Sequence, residues 1–186
     1  MYFLQPNQKR LLSSLNPVFL VVFVLLLIVF RSISEFVLPV LLRPWDVLLP
    51  FMVYFGQRRS FGEGLVLALF TSHLYSLCSS APIGVFATYY LILFIISRLL
   101  VYVIYANTWI SVFVLLLSLS LLSRLLLGII SVSFGHGWPI FSSVNISVLS
   151  LLFNAVLGLI AYVWLESLDR LTFKVPRINI ELSESH

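Results

Sequence analysis

The chain has 186 residues, of which 61% are hydrophobic and only 10% charged. Soluble domains are nearer about half apolar and about a quarter charged; a core of this size cannot hide the surplus, which must face lipid, so a secreted disulfide scaffold, a disordered regulator and a soluble enzyme are excluded. The net charge of +4 is scattered between apolar runs and forms no basic stripe with exposed aromatics, which excludes nucleic-acid binding.

Apolar runs recur at the length of a membrane crossing, about 20 residues. The first helix is predicted over 17–34, opening at Asn16-Pro17 because proline suits the first helical turn. Lys9 and Arg10 before it, with Ser32-Ile33-Ser34 after it, resemble a signal peptide. Membrane segments continue to residue 165, so an uncleaved anchor is the simpler reading. Residues 35–44 hold Pro39 and Pro44 and read as an interfacial or re-entrant break. The second helix is predicted over 44–57, short and tilted or kinked at Pro50. Gln57-Arg58-Arg59-Ser60 is a polar turn, and the third helix follows over 62–78. Ser79-Ser80-Ala81-Pro82 is a tight turn before the fourth helix, 83–102. Asn107-Thr108 precedes the fifth, 109–130, and a Gly- and Pro-rich loop over 133–139 follows it. The sixth is predicted over 144–165, with a polar tail, 166–186, extending into water. The expectation is one all-α membrane domain over 1–186, without an internal repeat.

Six crossings put both termini on one side. That side receives Lys9, Arg10, Arg58, Arg59, Arg98, Arg170, Lys174 and Arg177; the other side, or the membrane, receives Arg31, Arg43 and Arg124. Positive charge marks the cytoplasmic face, so both termini are expected there. Trp45, Trp109, Trp138 and Trp164 fall near predicted helix ends, as an aromatic belt would.

Chemistry-bearing residues are few. Glu35, Asp46, Glu63, Glu166, Asp169, Glu181 and Glu184 all fall away from the middle of predicted crossings, whereas a proton- or cation-coupled pump needs an acid there. His73 is the most central ionisable group and reads as a neutral histidine bonded across a helix interface, ahead of a proton relay. No second His or Cys stands at ligand spacing, so no metal site is expected. Cys78 reads as a small buried apolar residue. No Gly-x-Ser-x-Gly elbow and no phosphate-binding glycine loop is present, so no catalytic residue and no cofactor is assigned. Gly62 and Gly64 read as a flexible helix start or a close-packing point. Arg31 with Glu35, and Arg43 with Asp46, stand at helical contact spacing near the outer interface. They read as snorkelling side chains or, more sharply, as a polar corner that docks a partner. Arg124 and Asn154 are placed to bond across helices or to meet a partner's helix.

Arg43-Pro44-Trp45-Asp46-Val47-Leu48-Leu49, then Val53-Tyr54-Phe55, Arg58-Arg59, Gly62-Glu63-Gly64 and Ser79-Ser80-Ala81-Pro82-Ile83-Gly84 resemble the central part of the MreD family, bacterial rod shape-determining membrane proteins. The resemblance covers residues 43–100 by motif and the rest by pattern. The chain departs from the family at Ser76, where an acidic residue is frequent, and at Ser72, where a glycine is common; it resembles a divergent member. The resemblance implies a non-enzymatic scaffold of the peptidoglycan elongation complex in the bacterial inner membrane. Its partner would be an MreC-like single-pass protein, in an assembly with RodA, a penicillin-binding transpeptidase and MreB. Arg43, Pro44, Asp46 and Gly84 would be its structural signature. The six-helix plan is also similar to the substrate-binding subunits of energy-coupling-factor transporters. On that alternative a vitamin or metal would bind at the outer loop, through His136, Trp138 and Asn145.

Overall fold

The computed structural model describes residues 6–37, 46–79, 84–103, 108–133 and 148–174. They form six helices: α1 (Pro6–Val37), α2 (Leu49–Arg58), α3 (Phe61–Leu77), α4 (Val85–Val103), α5 (Trp109–Ser133) and α6 (Val148–Leu171). Three stretches are long and apolar enough to cross a membrane: Asn7–Ile33, Trp109–Ile130 and Val148–Leu171. Their outer faces carry exposed large side chains such as Val18, Val29, Ile110, Ile129 and Ile160. Surfaces of that kind belong against lipid, and the chain is an all-helical membrane protein.

The shortest of the described helices holds the bundle together. Residues Leu49 through Gln57 of α2 are all buried. A helix apolar on every side belongs in an interior, and α2 packs against α3, α4, α5 and α6. Ten residues rise about 15 Å, roughly half the hydrocarbon thickness of a bilayer. Pro50 sits in the first turn of α2, where its missing amide hydrogen is no loss. The core around it joins Phe51 and Phe55 to Leu93 and Phe94 of α4, Leu116 of α5 and Ala155 of α6.

Glycines bring these helices close. A Cβ on Gly56 would strike Ser97 Oγ and stand 3.2 Å from the Arg98 amide nitrogen. One on Gly64 would meet the Phe94 ring at 2.9 Å and the Phe55 carbonyl oxygen at 3.1 Å. One on Gly158 would meet Leu116 at 3.2 Å. The α2–α4, α3–α4 and α5–α6 crossings therefore depend on backbone approach, as in membrane bundles generally. Gly56→Ala is expected to destabilise the fold by about 1–3 kcal/mol through overpacking, seen as a lower thermal midpoint in detergent. An unchanged midpoint would mean that this crossing yields freely.

Three element boundaries differ from those expected. The second helix opens at Leu49, not Pro44: residues 46–48 precede it outside any helix, where Asp46 accepts from the amides of Leu48 and Leu49. The first helix opens at Pro6, not Pro17, and Pro17 lies inside it. Asn16, fully buried, is tied by hydrogen bonds to the end of α6 and to Arg59, and that anchorage holds the chain helical through the proline. The last helix continues to Leu171, and Asp169 and Thr172 are buried instead of lying in a solvated tail. The predicted third, fourth and fifth helices agree with α3, α4 and α5 to within a few residues. Residues 38–45, with Arg43, Pro44 and Trp45, lie outside the described residues, as does the loop 134–147 with His136, Trp138 and Asn145. The side chain of Glu35 also lies outside them.

Candidate functional site

Two hydrogen-bonded polar junctions stand at opposite ends of α2. The first is built on Asp46, just before that helix. Its Oδ1 accepts from the amides of Leu48 (3.1 Å) and Leu49 (3.2 Å), so the carboxylate caps the opening turn. The same oxygen accepts from the Tyr90 hydroxyl, and Oδ2 accepts from Tyr89, each at 2.8 Å. Adjacent helix positions diverge by about 100°, and only side chains as long as tyrosine bring two neighbours back to one carboxylate. Edge contacts between the Tyr89 and Tyr90 rings, and between Tyr75 and Tyr90, steady both phenols.

The Asp46 backbone amide donates to Asn154 Oδ1 at 3.0 Å, and Asn154 Nδ2 donates to Ser120 Oγ at 2.8 Å. Asp46 thus ties α2, α4, α5 and α6 together. Asp46 was expected at the outer interface; this chain of bonds sets it beside Ser120, close to the middle of α5. Arg124 is buried at the α5–α6 seam, donates to Ser150 Oγ at 2.9 Å, and is within electrostatic reach of Asp46. Of the proposed partner-contact residues, the structure therefore brings Asp46, Arg124 and Asn154 into one neighbourhood. Gly84 stands apart from them. It opens α4 with φ +98°, a conformation glycine adopts at little cost, and its carbonyl accepts from the Thr88 amide at 2.9 Å.

The second junction closes the other end of α2. Arg59, almost fully buried, pairs with Asp169 of α6 and donates to Asn16 Oδ1 at 2.7 Å. Asn16 Nδ2 donates to Asp169 (2.8 Å) and to Thr172 Oγ1 (2.6 Å). The Tyr54 hydroxyl donates to the other carboxylate oxygen of Asp169. Arg98 of α4 donates to the carbonyls of Gly56 (3.0 Å) and Arg59 (2.7 Å), placing a cation on the C-terminal end of α2. Lys174 pairs with Glu63 at 3.0 Å, and Ser60 caps α3 by accepting from the Glu63 amide. The sequence marked Asn16 as a helix start, Arg59 as part of a polar turn, Asp169 as part of a tail, and Arg59, Arg98 and Lys174 as positive charges of one side. No local signal joins Asn16 to Asp169, 153 positions away.

Tyr54→Phe removes one donor to Asp169 and leaves Arg59 and Asn16 in place. It is expected to cost about 1 kcal/mol, the net worth of one hydrogen bond, measurable as a small fall in thermal midpoint. A loss as large as that of deleting the charge would show that the phenol, not the arginine, carries this junction.

Two sequence expectations are corrected. His73 lies on the outer face of α3 and is exposed, without a hydrogen bond among the described residues, not bonded across an internal helix interface. Cys78 is exposed at the end of α3, not buried. Gly64 is a packing point as expected, whereas a Cβ on Gly62 would meet nothing within 4 Å. Ser76 is buried, and its hydroxyl has no hydrogen-bond partner among the described residues.

Between α1, α2 and α6 runs an apolar cleft of about 280 Å³, lined by Phe23, Leu27, Asp46, Pro50, Gly158 and Trp164 among others. Among the described residues, no three His, Cys, Asp or Glu side chains converge as a metal site would require. No family model, curated protein or solved structure matches the chain.

Proposed function

We propose that this protein is a six-span scaffold of the bacterial cell-wall elongation complex, with both termini in the cytoplasm, and that it binds an MreC-like single-pass partner in the inner membrane. The observation that carries the reading is how two carboxylates, Asp46 half-buried and Asp169 buried, are used. Asp46 is taken up by two phenols and two amides. Asp169 is taken up by Arg59, Asn16 and Tyr54. Such junctions hold helices in register and present a fixed surface; they do not poise an acid, a base or a nucleophile.

The orientation is supported by the gathering of Arg58, Arg59, Arg98, Arg170 and Lys174 at the Asp169 end, linked through Glu63, Glu166 and the α2 carbonyls. Positive charge of that kind belongs on the cytoplasmic side. The family resemblance of residues 43–100 supplies the partner class. RodA, a penicillin-binding transpeptidase and MreB complete the assembly on this reading. The alternative, a substrate-binding subunit of an energy-coupling-factor transporter, gains little from the cleft. Its 280 Å³ falls just below the roughly 300–1,000 Å³ of small-molecule sites, and its walls are apolar.

The test is a mild-detergent pull-down of the tagged chain from its native membrane, with mass spectrometry of proteins and small molecules together. Recovery of a single-pass coiled-coil protein with RodA or a transpeptidase is the expected result. Recovery of an ATPase module or a stoichiometric vitamin would overturn it.

A further inference from the structure

We propose that the cleft between α1, α2 and α6 is a lipid site, which holds a single hydrocarbon chain of a bilayer lipid against the first turn of α2. Its sides are formed by α1 between Phe23 and Phe30 and by α6 between Leu157 and Trp164. Both stretches lie within helices long and apolar enough to cross a membrane. Val47 and Pro50 form the back of the cleft and are buried, whereas Phe30, Ile160 and Trp164 on its rim are exposed. The cleft therefore opens sideways into hydrocarbon, where there is no water to fill it. An empty hollow would forfeit dispersion contacts along every wall, and apolar walls give a water nothing to bond to. The fluid at its mouth is acyl chain.

Size decides between apolar occupants. From Phe23 to Phe30 the helix rises about 10 Å. Spread over that length, 280 Å³ leaves a cross-section of roughly 30 Å². A partner's helix, about 10–12 Å across with its side chains, needs roughly 80–110 Å². Carbons in contact stand about 3.5–4.0 Å apart, so a single file of methylenes needs roughly 15–20 Å². One chain fits and a helix does not. The ends of the cleft set the direction of entry. Phe23 and Trp164 stack with ring centres 6.1 Å apart and planes 9° apart, and close one end. Asp46 stands at the other, bonded to Asn154 about one turn before Leu157. The chain enters from the leaflet at the Asp46 end, and its methyl terminus reaches the stacked rings. Asp46 itself offers a ligand little. Its oxygens already accept from two amides and two phenols, and Arg31 and Arg124, within electrostatic reach, oppose a cation. The class of ligand left is an uncharged hydrocarbon chain.

The test is the full chain in phosphatidylcholine vesicles doped with phosphatidylcholine that carries a diazirine on one acyl chain. After illumination, the cross-linked residues are mapped by mass spectrometry. Val47 and Pro50 are expected to be labelled, although lipid around the outside reaches only exposed residues such as Ile129. A diazirine at the chain end is expected to mark Phe23, and one at mid-chain to mark Val47. Ala161→Phe, which fills the cleft with a ring, is expected to abolish labelling of Val47 and Pro50 and to leave that of Ile129. Leu27→Trp fills it from the opposite wall and is expected to do the same, so the result does not hang on one variant folding. The vesicles hold no other protein, and the readout does not depend on which face is cytoplasmic or on any partner. Label confined to exposed residues in the unaltered chain overturns the proposal and leaves the cleft to a protein partner's side chain. Label at Val47 and Pro50 that persists in both filled variants overturns it as well.

Discussion

Replacing Arg59 with alanine is expected to destabilise the folded chain by about 3–5 kcal/mol, the cost of leaving a buried charge uncompensated. Asp169 is buried, and Arg59 is its cationic partner in the junction. The remaining donors, Asn16 and Tyr54, are neutral. With the guanidinium gone, α1 also loses a tie to α2, because Arg59 donates to Asn16 as well. The loss should appear as a fall of roughly 10 °C in thermal midpoint in detergent. The paired replacement Arg59→Leu with Asp169→Leu should cost much less than the single alanine, since two apolar side chains leave no charge stranded. If the double replacement is as damaging as the single one, the junction acts through packing and not through charge.

The second large effect is expected at Asp46. Asp46→Ala strands the hydroxyls of Tyr89 and Tyr90 and the amides of Leu48 and Leu49. Each unsatisfied buried group costs about 1–3 kcal/mol, and partial relaxation brings the total to about 3–5 kcal/mol. Asp46→Asn keeps one acceptor oxygen and should lose about half as much. Combining Asp46→Ala with Tyr89→Phe should cost less than the sum of the two, because the phenol is then no longer stranded. The same variant separates an internal role from a docking role. A partner-facing aspartate would leave the isolated chain's midpoint unchanged and reduce recovery of the partner. An internal clasp lowers the midpoint of the chain alone.

Helix existence was legible from run length, because an apolar run of spanning length is a local property. The ends of α3, α4 and α5 fall within a few residues of the predicted positions for that reason. The boundaries that moved are those where distant residues intervene. Pro17 looked like a start because the first-turn preference of proline is strong, yet Asn16 is held by Asp169 and Thr172 and the helix runs through. Asp169 looked solvated because Glu166, Asp169 and Arg170 make that stretch polar. Its burial depends on an arginine 110 positions earlier.

The candidate residues divide in the same way. Asp46, Arg124 and Asn154 were singled out as polar groups in apolar surroundings, and the structure sets them in one neighbourhood. Their companions Tyr89, Tyr90, Ser120 and Ser150 carried no signal, since tyrosine and serine are common in membrane helices and a hydroxyl partner has no sequence signature. His73 was noticed for its central position, but periodicity in α3 does not say which face is turned inward: apolar residues line the helix on all sides, so no polar face marks the outside.

The membrane class, the rough limits of α3, α4 and α5, and the scatter of positive charge along the chain could be read without coordinates, because each depends on composition or on spacing along the chain. That a helix too short to span a bilayer becomes the buried axis of the bundle could not. Nor could the closing of its two ends, one by Asp46 bonded to two tyrosines of α4, the other by Asp169 of α6 bonded to Arg59, Tyr54 and Asn16. Those outcomes depend on which helix faces meet. In a chain where almost every face is apolar, the meeting is decided by the close approach at Gly56, Gly64 and Gly158 and by the few polar groups that must find one another.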